Sequence, residues 1–150
     1  MVVGLEEPLY VPADMDCPDH KIIFAHGFFS SALHECAHWL IAGAERRKIL
    51  DYGYWYVPDG RDAAQQALFY QVEVKPQALE WILSDAARYP FQFSLDNLNG
   101  HIEDVQAFKQ AVHDQVADYI KYGLPERAER LRIALSSFYS SSIQETRAFS

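Results

Sequence analysis

Two histidines four residues apart, with a carboxylate beside the first, carry the clearest chemistry in this chain: His34-Glu35-Cys36-Ala37-His38, an H-E-x-x-H pattern. The residues around it favour a helix, where side chains at i and i+4 stand one above the other on one face. His34 and His38 can then aim both imidazoles at one point, with Glu35 to the side. Zinc peptidases hold their ion and activate water with this arrangement. The competing reading is a pair of hydrogen-bonded histidines inside a core. Leu33, Cys36, Ala37, Leu40, Ile41 and Ala44 make a broad apolar surface, so the helix is expected to be buried, and imidazoles in a core need partners. Ser30 or Ser31 can cap its start, and Gly43 lies near its end.

Two imidazoles alone hold a catalytic ion poorly; a third protein ligand is needed, with a position left open for a reactant. Glu73 fits. Its neighbours Val72 and Val74 are apolar, so a carboxylate there needs a partner. Ala78, Leu79, Ile82, Leu83 and Ala86 recur at helical spacing and predict a helix over 73–87. Pro76 is tolerated in a first turn, which places Glu73 at the helix start. The competing role for Glu73 is a carboxylate favoured there by the helix dipole. Glu80, beside Trp81, is the second choice as ligand. His20, His26, His101 and His113 are read as structural, with His26 close enough in sequence to support the motif helix.

The elements that must position these residues follow from periodicity and turn chemistry. The lead-in over 1–20 is rich in Pro, Asp and Glu and is expected to be extended, with a short strand at Leu9-Tyr10-Val11. Lys21-Ile22-Ile23-Phe24-Ala25 predicts a strand, and His26-Gly27 a turn into the motif helix. Arg46-Arg47-Lys48 suits a helix C-terminus. A strand is expected over 52–57, a turn at Pro58-Asp59-Gly60, helical residues over 61–69, a strand over 91–95 and a loop over 96–100. A long helix is expected over 103–122 with the stripe Val105, Phe108, Val112, Val116 and Ile120. Gly123 stops it, and Pro125 opens a last helix over 125–139 with Leu131, Ala134, Leu135 and Phe138 on its apolar side. The Ser-rich tail is expected to fray. The fold class is α+β, a small sheet of about three strands packed with several helices and a zincin-like metal site, in one domain over 1–150.

Composition narrows the function. The chain has 150 residues, 49% of them apolar, enough for one core. No run of about 18 apolar residues offers a membrane span, and the start of the chain does not read as a secretory signal. Two cysteines, one within the motif helix, suit a reducing cytoplasm. A net charge of −8 argues against nucleic acid as partner and weakly favours a cationic one.

Taken together, several runs resemble the bacterial elongation factor P hydroxylases. They are Ile23-Phe24-Ala25-His26-Gly27-Phe28, His34-Glu35 through His38-Trp39, Asp51-Tyr52-Gly53-Tyr54-Trp55-Tyr56, Pro58-Asp59-Gly60-Arg61-Asp62, Val72-Glu73-Val74-Lys75-Pro76-Gln77-Ala78-Leu79 and Gly123-Leu124-Pro125-Glu126-Arg127. They span most of the chain in one order. The resemblance implies hydroxylation of a lysine of elongation factor P that already carries a β-lysyl group. It implies a metal held by His34, His38 and Glu73, and a fold akin to small metallopeptidases. This chain departs from the pattern in having little ahead of Glu7, where relatives have a further N-terminal segment.

The residues themselves leave the chemistry open. Two histidines and a carboxylate with open positions are the ligand set of non-haem Fe(II) oxygenases, with dioxygen as cosubstrate, and equally that of zinc peptidases. In a hydrolase Glu35 would be the general base; in a hydroxylase it would orient a ligand or a substrate amine. A scaffold that keeps the metal only for stability is a third reading. No site for 2-oxoglutarate is recognisable, and that cosubstrate is not assigned. Tyr54, Tyr56, Asp59, Arg61 and Asp62 share one turn-rich stretch whose acidic groups could hold the amino groups of a β-lysyl-lysine. The same stretch also reads as a structural turn with an Arg–Asp pair.

Overall fold

The computed structural model describes residues 1–4, 8–50, 63–95 and 102–139. The chain divides into two compact units, Met1–Tyr56 and Val57–Ser150. In the first, strands β1 (Val2–Gly4), β2 (Leu9–Val11) and β3 (Lys21–Ala25) form a sheet in the order β1-β3-β2. The β-branched pair Ile22-Ile23 suits the central strand. β1 runs parallel to β3 with Val2 opposite Ile23, and β2 runs antiparallel to it with Leu9 opposite Ile23. β1 lies within the expected extended lead-in. Its Gly4 is there for space, since a Cβ would stand 2.6 Å from Cγ2 of Ile23.

The end of β3 sets the motif helix in place. His26 and Gly27 both take positive φ, 53° and 72°, the left-handed conformation that reverses the chain. Helix α1 (Phe29–Ile41) follows at once. Neither serine caps it: Phe28 is the N-cap residue, without a side-chain cap. Ser31 lies inside the first turn, and its hydroxyl accepts the Ala25 N–H at 3.1 Å. The serine thus ties the helix to the strand instead of closing the helix end. Ala32, Leu33, Ala37 and Leu40 are buried, and α1 packs on β3. Cys36 and Ile41 are half-buried, and Ala44, beyond the helix, is exposed. The basic cluster forms a 3-10 turn, Arg46–Lys48. The Arg47 guanidinium donates to the Ala42 carbonyl, closing the α1 C-terminus as the dipole favours. The Tyr10 hydroxyl donates to the Arg47 carbonyl at 2.6 Å.

The second unit is helical: α2 (Ala63–Ala86), α3 (Ile102–Tyr122) and α4 (Glu126–Phe138), with α2 packed on both others. The segments read as separate, 61–69 and 73–87, are largely one helix with Pro76 inside it. An interior proline costs about 3 kcal/mol. Burying a large apolar side chain returns about 1.5–3 kcal/mol, and α2 buries Phe69, Tyr70, Leu79, Ile82 and Leu83 along one rod. Packing outweighs the proline.

Phe69, Tyr70, Ala78 and Ile82 form a core cluster with Phe108, Val112 and Val116 of α3. Tyr70 and Phe108 stack at 4.7 Å between centroids. Ile120, expected in the same stripe, is exposed. Gly123 (φ 95°) ends α3 with its N–H on the Tyr119 carbonyl at 2.9 Å, and Pro125 is the N-cap of α4, as their residue types predict. In α4 Ala128 is buried and Leu131 and Leu135, on the same face, are half-buried, whereas Ala134 and Phe138 are exposed; the packed side is narrower than the one read from the sequence. Residues 91–95 form no strand. Phe91 and Phe93 pack on Trp81, at 4.9 and 5.4 Å between centroids, so the alternation serves aromatic packing instead of a ladder. The expected strand over 52–57 and the loop over 96–100 lie outside the described residues. Among the described residues, three strands and four α-helices give the α+β class. Among the described residues no helix is long and apolar enough to cross a membrane.

Phe108→Ala should destabilise the protein by about 3–5 kcal/mol, because it opens a cavity beneath Tyr70; urea unfolding measures this.

Candidate metal centre

In α1 the i, i+4 spacing does what helix geometry demands. The Nε2 atoms of His34 and His38 stand 3.1 Å apart, their rings 4.7 Å between centroids and 69° between planes. Two nitrogens each about 2.0–2.1 Å from one ion stand about 2.9–3.4 Å apart at octahedral to tetrahedral angles. The pair therefore has the spacing of two ligands to one ion. Both rings are half-buried, so they are not histidines sealed in a core.

Glu73 is placed to offer a third donor. One ligand atom from each of His34, His38 and Glu73 lies within 4.8 Å of the others. Glu73 is almost wholly buried, 3% exposed. It does not open its helix: α2 begins at Ala63, which puts Glu73 in the interior. The dipole acts only within the first turn, so it cannot explain a carboxylate there. Two half-buried imidazoles and a buried carboxylate are a donor set that suits a divalent transition metal.

Glu35 lies on α1, half-buried, one position past His34. Cys36, next to it, has its thiol pushed up to about 11, chiefly by burial. A thiol held protonated is a poor metal ligand. Tyr54, Arg61 and Asp62, with Tyr56 and Asp59, lie outside the described residues, as does His101. His26 is a turn residue. His20, exposed, has its Nδ1 2.6 Å from the Tyr10 hydroxyl. His113 lies against Trp81 at 6.3 Å between centroids.

Sequence reasoning missed what stands beside Glu73. Gln77, one turn on and fully buried, donates from Nε2 to Oε2 of Glu73 at 3.4 Å. Glu80 and Ser84 continue the same side of α2 and are buried too. The signal was available: Glu73, Gln77, Glu80 and Ser84 recur at spacings of four, three and four through a run otherwise rich in apolar residues.

Comparison with known proteins places the chain. The family model described as "Elongation factor P hydroxylase" matches residues 1–149. The chain belongs to that family. A relative from Haemophilus influenzae, named elongation factor P lysine hydroxylase, is 59% identical over 141 residues, covering 94% of this chain and 79% of that protein. Neither is a peptidase, so the peptidase reading draws no support from them. In this member of the elongation factor P hydroxylase family, the H-E-x-x-H helix and the Glu73 helix carry a group that could hold a divalent metal.

A divalent ion at about 100 times its Kd should add about 2.7 kcal/mol to the stability of the wild-type protein. His38→Ala and Glu73→Ala should lose most of that gain, read as the metal-induced rise in Tm.

Proposed function

We propose that this protein hydroxylates the β-lysylated lysine of translation elongation factor P, using a divalent metal held by His34, His38 and Glu73. One observation carries the reading: a member of this family brings two imidazoles and a buried carboxylate within 4.8 Å of one another. The closely similar relative named for this activity supports it. Fe(II) is the proposed ion, because two histidines and one carboxylate leave positions open for dioxygen. Bound there, it would supply the redox chemistry that puts one oxygen atom of O2 into a C–H bond, the other leaving as water with two electrons from an external reductant and two protons.

The chain's own residues do the rest. His34 and His38 bind through Nε2, the atoms already turned toward each other. Glu73 offsets the charge of the ion from a position almost closed to solvent, where a carboxylate attracts a cation more strongly than it does in water. Glu35, off the axis of the histidine pair, orients a ligand or the substrate amine. The acidic and aromatic residues around Tyr54, Arg61 and Asp62 receive the amino groups of the modified lysine, consistent with a net charge of −8. On this reading the chain works as one catalytic domain in the cytoplasm, where translation factors are modified.

Mass spectrometry of β-lysylated elongation factor P is the deciding experiment. Incubation with the iron-loaded protein, reductant and oxygen should add one oxygen atom, and anaerobic incubation should add none. An unchanged mass in air would overturn the reading. His34→Ala should abolish the product, and Glu35→Gln should bind metal normally and turn over at least tenfold more slowly. Asp62→Ala should raise KM for the modified factor about tenfold, as loss of one carboxylate–ammonium contact costs about 1.5 kcal/mol; an unchanged KM would remove Asp62 from the substrate site. Metal analysis of protein purified without added metal should find iron; zinc together with proteolysis would favour the peptidase chemistry.

A further inference from the structure

We infer that Gln77 is a positioning residue for the Glu73 carboxylate, and that the backbone of Ser94 fixes which way the Gln77 amide points. The inference rests on Glu73 being a metal ligand and extends that reading to the group that aims it.

The Gln77 side chain is fully buried and makes three hydrogen bonds. Its Nε2 donates to the Ser94 carbonyl at 2.7 Å and to Oε2 of Glu73 at 3.4 Å; its Oε1 accepts the Ser94 N–H at 3.2 Å. An amide nitrogen carries two hydrogens, and here each has its own acceptor. The opposite orientation is excluded on physical grounds. With the amide turned over, nitrogen would face the Ser94 N–H, donor against donor, while oxygen would face both the Ser94 carbonyl and the carboxylate. One peptide group, read on both its N–H and its C=O, therefore locks the amide.

The bond lengths assign the roles. The bond to the Ser94 carbonyl is short and strong. The one to Glu73 is at the long end of hydrogen-bond range, weak enough for the carboxylate to adjust while its direction stays set. Glu73 and Gln77 are four residues apart on one helix, so the helix fixes their spacing. Ser94 lies in a segment held by Phe91, stacked on Trp81, and Phe93, edge-on to it, which gives the lock a firm footing. Outer groups of this kind orient metal ligands, and their loss commonly costs 10–100-fold in metal affinity.

The test uses Co(II), whose visible absorption reports the geometry of its ligands, on the full chain. Wild type should bind Co(II) with a defined spectrum. Gln77→Met, close in volume but unable to hydrogen-bond, should bind it 10–100-fold more weakly, with altered bands. Unchanged affinity and spectrum in a folded Gln77→Met protein would overturn the proposal and leave Gln77 as a residue that only holds the 91–95 segment. If wild type binds no Co(II), the metal reading itself fails, which is a distinct result. If the variant does not fold, 15N NMR of the wild-type protein decides: Zn(II) should shift the side-chain amide signals of Gln77 in step with the imidazole signals of His34 and His38. Amide signals that stay in place would overturn the proposal.

Discussion

A carboxylate shut away from water is the constraint around which this protein is organised. Burying an ionised carboxylate without compensation costs several kcal/mol, and Glu73 is among the most buried charged groups of the described residues. The fold accepts it because dipoles and donors are arranged around it. The Gln77 amide faces it, the Ser94 peptide holds that amide, and the imidazoles of His34 and His38 stand nearby with nitrogens that can share a cation with it. A polar row along α2 is thus a deliberate feature of a helix otherwise given to apolar packing.

The histidine pair is positioned by a different device. β3 runs into a reversal at His26-Gly27 that leaves almost no slack before α1, and the Ser31 hydroxyl bonds back to the last residue of the strand. The helix carrying both imidazoles is anchored at its first turn to the centre of the sheet. At its other end the Arg47 guanidinium and the Tyr10 hydroxyl fasten the chain that leaves it. Its apolar side lies on β3 while the imidazoles keep part of their surface open.

The parts of this arrangement that depend on local spacing were legible in the sequence. The i, i+4 histidines, the β3 strand, the Gly123 stop and the buried stripe of α3 all follow from helix or strand periodicity. What was misread depended on contacts far along the chain. Pro76 suggested a helix boundary, yet the apolar residues on both sides of it make one rod profitable. Phe91, Gln92 and Phe93 alternate like a strand, but with Trp81 at hand the two rings pack on it instead, one stacked and one edge-on. Phe138 has the right type for a core yet is exposed, its ring edge-on to that of neighbouring Tyr139. Glu73 stands out by its apolar neighbours, but Pro76 suggests a helix start there, whereas Glu73 lies inside α2. Gln77 went unremarked because a lone glutamine in a helix carries no signal until its partner, the Ser94 peptide, is seen.

Pro76 has one more effect. It has no N–H to offer the carbonyl four residues back, that of Val72, and its ring presses on that same turn. A ladder that lacks one rung bends there sooner than elsewhere. The weak rung falls beside Glu73, between the acid and the amide that aims it. Glu73 therefore sits beside the point of α2 where the backbone ladder lacks a rung, within a rod held by the apolar side chains packed on either side of it.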